Sequence, residues 1–422
     1  MAHDTNNQKK PAPVKITSGW RRVLNLQQRA RAKCLSGVLI HKPENIYYFT
    51  SVYPHEPSFL IIPLEGEPEL VVARSALVEA ERDSLIPVVP GEIDIAASAY
   101  ARMQEKKVLK SPPDTIFKSM LRKIGESPIG LELDYISAYL FQYFKIRNHM
   151  DISPEIDAMR SVKSGFEIEH ITDACRIADA AMARTRERIT PGMTEREVSG
   201  IFDAHAKALG AEESKCRVRS GKNTALAFSR WMDGILDRGP LLIDYGARVK
   251  GYWSDITRMF HLGAEPDPFF LEIYHLVLAA QKNALEIMRP GQSIYEPEAR
   301  IRKTFREKGF EQNMIYTAGH GVGLEIHEAP LLGSPPLKKI KKETQPTPQA
   351  NENMQAAIAA MLEEARGDDD APVLEYGQIF ALEPGLYFPD IGVRVEDMVH
   401  ISQEPVLLST FPTSVEEMII PI

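Results

Sequence analysis

Residues 241–263 read LLIDYGARVKGYWSDITRMFHLG. Asp244 ends an apolar run with strand character, and Asp255 lies in a second extended segment, with Gly246 and Gly251 between them. Glycines at those places favour a tight reversal, so a hairpin can bring the two carboxylates together across the intervening sequence. A carboxylate that ends a strand core is costly to bury unless it is paired or bound to a metal. The stretch therefore predicts a β-hairpin with a polar site on it.

Two later stretches carry the same signature. In residues 316–330, YTAGHGVGLEIHEAP, His320 sits between Gly319 and Gly321, where backbone can approach a site closely. His327 follows seven residues on. In one continuous strand that odd spacing would put the two rings on opposite faces. The glycines favour a bend, which lets both line one cleft. In residues 380–401, FALEPGLYFPDIGVRVEDMVHI, Glu383 and Glu396 each interrupt strand-forming runs. Arg394 shares a strand face with Glu396 by the two-residue period, so a buried ion pair between those two is one expectation.

Together, Asp244, Asp255, His320, Glu383 and Glu396 are four carboxylates and an imidazole, which would repel one another without a counter-charge. A pair of divalent cations supplies it. The carboxylate-rich set suits manganese first, with cobalt, zinc or iron as alternatives. Two such ions about 3.5–4 Å apart can lower the pKa of a shared water and stabilise a tetrahedral intermediate. His327 would then donate to a substrate oxygen as negative charge develops there.

The rest of the chain sets this site in an ordinary globular frame. Its 422 residues suffice for two domains at roughly 100–200 residues each. A formal net charge of -8 argues against a dedicated nucleic-acid binder, which needs a concentrated basic surface. No apolar run approaches the roughly 20 residues that span a bilayer, so no membrane association is expected. The opening MAHDTNNQKKPAPVK has no apolar secretory core, and Cys34, Cys175 and Cys216 fit neither a disulfide framework nor a zinc ribbon. A reducing, cytoplasmic setting is expected, with the three cysteines as buried small hydrophobes.

Residues 1–20 read as a polar, proline-bearing tail and 21–153 as an α/β domain. A helix over 21–33 precedes GVLIHKPENIYYFTSV, which reads as two strand runs around a Pro-Glu-Asn turn. Strands flank Glu65-Gly66. Strand signals at 85–89 and 128–132 then alternate with helices near 74–84, 92–105, 115–124 and 134–147. Residues 154–422 form a second domain. In it, helix 166–188 leads into a Pro-Gly turn, then a helix capped by Thr194 with Glu197 three residues on, a stop near Gly210, and a strand. The same order returns from helix 270–288 through MRPGQSIYEPEARIRKTFREKGFEQ, an internal duplication with a natural cleft between its halves. Residues 335–370 read as an insertion, with a basic run at Lys338, Lys339, Lys341 and Lys342 and a surface helix over 353–364.

The stretches IDYGARVKGYWSDITR, GHGVGLEIHEAP, LEPGLYFP and GVRVED, with MRSVKSGFEIEHI and ITPGMTEREV upstream, resemble the pita-bread metallopeptidases. That group holds Xaa-Pro dipeptidase (prolidase), aminopeptidase P, methionine aminopeptidase and creatinase. The resemblance covers about residues 20–415 and is closest to prolidase-like proteins; the N-terminal α/β unit resembles the accessory domain of prolidase, aminopeptidase P and creatinase, which argues against methionine aminopeptidase. It implies an α/β N-terminal domain and an α+β pita-bread catalytic domain with an internal pseudo-twofold. It also implies hydrolysis of an Xaa-Pro bond in dipeptides or short peptides, with proline at P1′, by a homodimer. The metal ligands carry over to Asp244, Asp255, His320, Glu383 and Glu396, with Asp255 and Glu396 reaching both ions. Glu383 resembles the general base, His327 the histidine at the scissile carbonyl or P1′ side, and Arg394 the arginine that orients the ligands.

Two departures stand out. Family peptidases carry a Pro-His turn upstream of the first aspartate, where GKNTALAFSRWMDG here has Ala227-Phe228. Prolidases use an arginine beyond the His327 position to hold a dipeptide carboxylate, and residues 328–337 contain no arginine or lysine. Two alternatives stay open: a non-peptidase enzyme on the same scaffold, acting on small zwitterions, and a catalytically silent metal-binding protein.

Overall fold

The computed structural model describes residues 18–56, 58–91, 124, 128–138, 140–141, 148–229, 232–333 and 372–422. It divides into two units, Met1–Ile156 and Asp157–Ile422. Within the first, strands β1 (Gly37–Ile40), β2 (Phe59–Pro63), β3 (Glu69–Ala73), β4 (Val88–Gly91), β5 (Ile129–Leu131) and β6 (His149–Asp151) form one sheet. Its order is β4-β3-β2-β1-β5-β6. The β2–β3 hairpin turns at Glu65-Gly66 as its sequence predicts, with Gly66 at φ +96°. A helix, Ser18–Ala32, begins inside the stretch expected to be tail.

The run IYYFT, expected as a strand, is helical: Pro43–Thr50 is a helix. Local chemistry explains the outcome. Pro43 supplies a preset φ in the first turn, where its missing N–H costs nothing, and Glu44 suits the positive end of the helix dipole. Ile46, Phe49 and Thr50 turn one face inward, and Ser51 closes the helix in a left-handed conformation. Cys34 is exposed, contrary to expectation, because it sits at positive φ just past the end of helix Ser18–Ala32; Cys175 and Cys216 are buried. The helices expected at 92–105 and 353–364, most of those at 115–124 and 134–147, and the insertion at 335–370 lie outside the described residues.

In the second unit the repeated order is present. Helix Gly165–Arg186, a turn with Gly192 at φ +87°, helix Glu195–Ala208, and strand β7 (Glu213–Ser220) form the first copy. Helix Pro268–Leu285, a turn with Gly291 at φ +87°, helix Glu296–Arg306, and, further on, strand β11 (Gly319–Gly321) form the second. Thr194 caps its helix, its hydroxyl accepting from Glu197 N while the Glu197 carboxylate accepts from Thr194 N, a contribution of about 1 kcal/mol.

The first copy continues into β8 (Gly239–Val249), β9 (Tyr252–Trp253) and β10 (Ile256–Leu262). These join β7 and the C-terminal β18 (Ile419–Ile420) in the order β18-β10-β8-β7, with β9 on β8. The second copy builds the sheet β12-β11-β13-β16-β17 from β12 (Glu328–Leu332), β13 (Ile379–Leu382), β16 (Asp397–His400) and β17 (Val406–Leu407). A separate hairpin pairs β14 (Gly385–Tyr387) with β15 (Gly392–Arg394). Phe270, Ile273, Val277 and Phe305 pack with Phe380, Leu382 and Val399 in one apolar cluster, which fixes the second sheet against its helices. Among the described residues no helix is long and apolar enough to cross a membrane.

Candidate metal centre

The predicted hairpin exists, and it aligns its strands closely: Thr257 faces Asp244 and Ile256 faces Tyr245 across β10 and β8. Asp244 lies within β8 rather than at its end, and Asp255 occupies the link between β9 and β10. Tyr245 turns to the opposite face, where its hydroxyl donates to Asp179 of helix Gly165–Arg186. Asp244 therefore faces away from that helix by the two-residue period. From the other sheet, β11 presents His320. It lies so close to β13 that a Cβ at Gly319 would fall 1.9 Å from the Ala381 carbonyl oxygen, which is why glycine precedes the histidine. The chain then bends, and the His327 ring comes back to 4.3 Å from that of His320. Glu383 follows β13, and Glu396 lies between β15 and β16, bridged to Thr257 of β10.

Donor atoms from three groups each lie within 4.8 Å of one another: Asp255, His320 and His327; His320, Glu383 and Glu396; and Asp244, Asp255 and Glu396. Shared members link the three into one cluster containing all six residues singled out from sequence as ligands or as the carbonyl-contacting histidine. His320 Nε2 is 3.5 Å from Glu383 Oε1 and 3.9 Å from Asp255 Oδ2. Its Nδ1 lies 3.0 Å from the Gly321 carbonyl, which only a protonated Nδ1 can satisfy. The Nε2 lone pair is thereby aimed at the acids, the orientation a metal ligand needs.

Arg394 departs from expectation. Its Nη2 donates to Asp244 Oδ2 at 2.6 Å and its Nε to Thr257 Oγ1 at 2.9 Å; Thr257 in turn donates to Glu396 Oε2 at 2.6 Å. The expected direct pair between Arg394 and Glu396 is replaced by this relay, because Glu396 has left β15 and sits in the link to β16. Sequence reasoning also passes over Lys215 and Thr257. Lys215 Nζ lies 2.7 Å from Asp255 Oδ1 and 3.3 Å from Asp244 Oδ1. These are ion-pair distances without hydrogen-bond geometry, so both buried oxygens still lack a hydrogen-bond donor. The alternation in Lys215-Cys216-Arg217-Val218-Arg219 is the one available signal: three basic residues on one strand face.

Burial raises the pKa of Asp244, but Lys215 and Arg394 outweigh it and hold the carboxyl well below the usual range. Glu396 goes the other way: burial first, then the Asp255 and Glu383 charges, push it well above that range. Glu383 is raised by burial and by both aspartates, against the opposing effect of Arg394. Burial lowers His320 and His327, which favours neutral rings. Two buried carboxylate oxygens met only by the Lys215 ammonium, an oriented imidazole nitrogen and two buried glutamates crowded by other acids form a donor set that fits divalent metal.

The profile of metallopeptidase family M24 matches residues 169–403, and that of the creatinase/prolidase N-terminal domain matches residues 22–162. The chain belongs to metallopeptidase family M24. An Xaa-Pro dipeptidase of Pyrococcus furiosus is 31% identical over 374 residues, covering 87% of this chain and 90% of that protein. Among solved structures, the prolidase from Pyrococcus horikoshii superposes with a TM-score of 0.76 at 28% identity, covering 94% of this chain and 99% of that one. An X-Pro aminopeptidase from Thermotoga maritima gives 0.73 at 25% identity, covering 93% and 100%. Membership gives the chain a metallopeptidase scaffold, the N-terminal α/β domain followed by the pita-bread domain.

Against that family frame, Phe228 is 71% exposed, and its ring lies edge-on to Tyr316 at 5.7 Å. Tyr316 in turn shares a 3.0 Å hydrogen bond with Tyr387. The position that departs from the family's Pro-His turn thus belongs to an aromatic group, and Tyr316 and Tyr387 lie within electrostatic reach of Glu383.

The turn that carries His327 is anchored by charge. Glu328 is buried and takes an ion pair from Arg160 and another from Lys163 at 3.4 Å, while its Oε1 accepts from Glu325 N. Burial alone would raise the Glu328 pKa, but the two cations hold it at about 2.

Proposed function

We propose that this enzyme hydrolyses the Xaa-Pro amide bond of dipeptides or short peptides, with proline at P1′, using two divalent metal ions, manganese first among them. The observation that carries the reading is the single cluster of Asp244, Asp255, His320, His327, Glu383 and Glu396. Asp244, Asp255, His320, Glu383 and Glu396 would hold the metals, which supply Lewis-acid polarisation and an activated water. Glu383, with its raised pKa, is suited to take a proton from the attacking water and return it to the leaving nitrogen. His327, neutral and exposed beside His320, is suited to donate to the substrate carbonyl as charge develops. Arg394 and Thr257 fix the orientation of Asp244 and Glu396. The aromatic group of Phe228, Tyr316 and Tyr387 offers an apolar wall on which a pyrrolidine ring can rest.

The reading extends to a homodimer, as the family resemblance implies, in the reducing, cytoplasmic setting that the cysteine usage suggests. Sedimentation that gives only the 47.3 kDa species across micromolar concentrations contradicts the dimer. The activity is tested with chelator-treated protein reloaded with manganese, cobalt or zinc and offered Ala-Pro, Met-Pro and Xaa-Pro-Xaa peptides. Cleavage of the Xaa-Pro bond is expected, and failure across that panel in folded, metal-loaded protein sinks the reading. A second reading, a non-peptidase enzyme acting on small zwitterions, is favoured by Phe228, where family peptidases have imidazole. Turnover of betaines or cyclic amidines without Xaa-Pro cleavage would establish it.

A further inference from the structure

Strand β7 pairs with β8 so that Lys215 faces Gly246, Arg217 faces Asp244 and Arg219 faces Leu242. Lys215 reaches Asp244 and Asp255, so the face of β7 that carries Lys215, Arg217 and Arg219 is the face that looks onto the metal-binding acids. Val218, between the arginines, is fully buried on the other side.

Arg219 is anomalous. It is only 3% exposed, yet its one hydrogen bond runs from Nη1 to the neighbouring Val218 carbonyl at 2.8 Å, and its buried Nε has no partner. No carboxylate of the described residues lies within ion-pair distance of it. A guanidinium carries five N–H donors, and burying one without a carboxylate is unfavourable unless something else meets it. Arg219 lies within electrostatic reach first of the Glu195 carboxylate and then of Asp244, with Arg217 and Arg394 opposing as like charges. Arg217, one step along the same face, is exposed and also makes no ion pair with a described residue. Two arginines two positions apart on one strand face, with their Cα atoms about 6–7 Å apart, present neighbouring guanidiniums to which a carboxylate can bind.

We propose that Arg217 and Arg219 bind a carboxylate of the substrate and make the enzyme selective for substrates with a negative charge beside the scissile bond. The carboxylate is either the C-terminus of a dipeptide or the side chain of an acidic residue. The inference rests on the peptidase reading for its substrate class. Residues 328–337 offer no basic group for the same task.

The test separates the two readings. Metal-loaded protein is titrated by calorimetry with glutarate and with its monoamide. Both offer one carboxylate to the metals, and only glutarate has a second. Glutarate should bind at least about tenfold more tightly, the scale of one charge-assisted pair. Arg217→Gln, at an exposed position that tolerates change, and Arg219→Gln should each reduce that preference to about threefold or less, with the monoamide affinity unchanged. Equal binding of the two probes by the wild type, or a preference that survives Arg217→Gln and Arg219→Gln, overturns the inference. Kinetics on Ala-Pro against Ala-Pro-amide, and on Glu-Pro-amide against Gln-Pro-amide, identify the source. A KM preference for Ala-Pro lost in Arg217→Gln assigns the terminal carboxylate, and one for Glu-Pro-amide assigns the side chain. Turnover of all four peptides without preference overturns the inference while the peptidase reading stands. A glutarate preference lost in Arg217→Gln, with no peptide cleaved, upholds the carboxylate site and removes the peptidase reading.

Discussion

The two halves of the second unit bring unequal charge to the same centre. The first half supplies Asp244 and Asp255 together with cations: Lys215 sits on both aspartates, and Arg394 reaches across to Asp244. The second supplies His320, Glu383 and Glu396, with Arg394 Nη1 only 3.9 Å from Glu383 and, among the described residues, no cation paired to Glu396. The acids respond accordingly. Lys215 and Arg394 hold Asp244 well below the ordinary carboxylate range against its burial, while burial first, and then the neighbouring acids, push Glu383 and Glu396 above it despite Arg394. The deficit of positive charge is therefore greatest at the glutamate end. A divalent ion gains most there, while at the aspartate end it must share oxygens with an ammonium.

The contrast is broken most severely at the ligands themselves. Asp255→Asn and Glu383→Gln should each lower kcat/KM by about 10³-fold or more, beyond the effect of one lost transition-state donor. Metal analysis of the same preparations should show Asp255→Asn depleted and Glu383→Gln retaining part of its metal. Next in size is His327→Ala, which should keep its metal near the wild-type level while kcat/KM falls about 10²–10³-fold. Metal loss as complete as in Asp255→Asn would make His327 a ligand, a role its distance to His320 and Asp255 also permits.

The anchor of the His327 turn gives a stability prediction. Glu328 has a folded pKa of about 2 against an ordinary value of 4.5, depressed by Arg160 and Lys163 despite burial. A depressed carboxyl contributes stability above its unfolded pKa and loses it as pH falls toward the folded one. Roughly 3 kcal/mol should thus be present at pH 7 and disappear between about pH 4.5 and 2. Urea midpoints of Glu328→Gln and wild type should differ at pH 7 and converge in that acid window; a constant gap would contradict the ion-pair account. The smallest effect is at Lys215. Lys215→Ala should raise affinity for the more weakly bound metal equivalent roughly tenfold, the scale of one screened like-charge contact. A fall in affinity by calorimetry would show that Lys215 supports the metals instead of opposing them.

Much of the centre is legible in the amino-acid sequence. Asp244, Glu383 and Glu396 interrupt strand-forming runs and Asp255 lies in an extended segment after the hairpin turn, while the resemblance to the pita-bread metallopeptidases is what marks the set as metal ligands. The flanking glycines of His320 announce close backbone approach, and the Thr194 and Glu197 spacing announces a helix start. What escapes has physical causes. A basic alternation such as Lys215-Arg217-Arg219 looks the same whether its face meets water or a cleft; only the β7–β8 register decides. Periodicity pairs Arg394 with Glu396, but it counts positions along one strand and cannot see that the chain leaves β15 before Glu396 and that β10 delivers Thr257 between them. The aromatic run after Pro43 suggests a strand by composition, whereas proline and glutamate at its start have the geometry of a helix.

The central claim is that this cluster is a metal centre that hydrolyses Xaa-Pro bonds. It is tested most directly by adding manganese back to chelator-stripped protein while bound metal per chain and Ala-Pro hydrolysis are measured in the same sample. The account predicts no hydrolysis in stripped protein and activity that rises with occupancy and levels off at two ions per chain. Undiminished hydrolysis without metal, or two bound ions with no hydrolysis of any Xaa-Pro substrate, would contradict it.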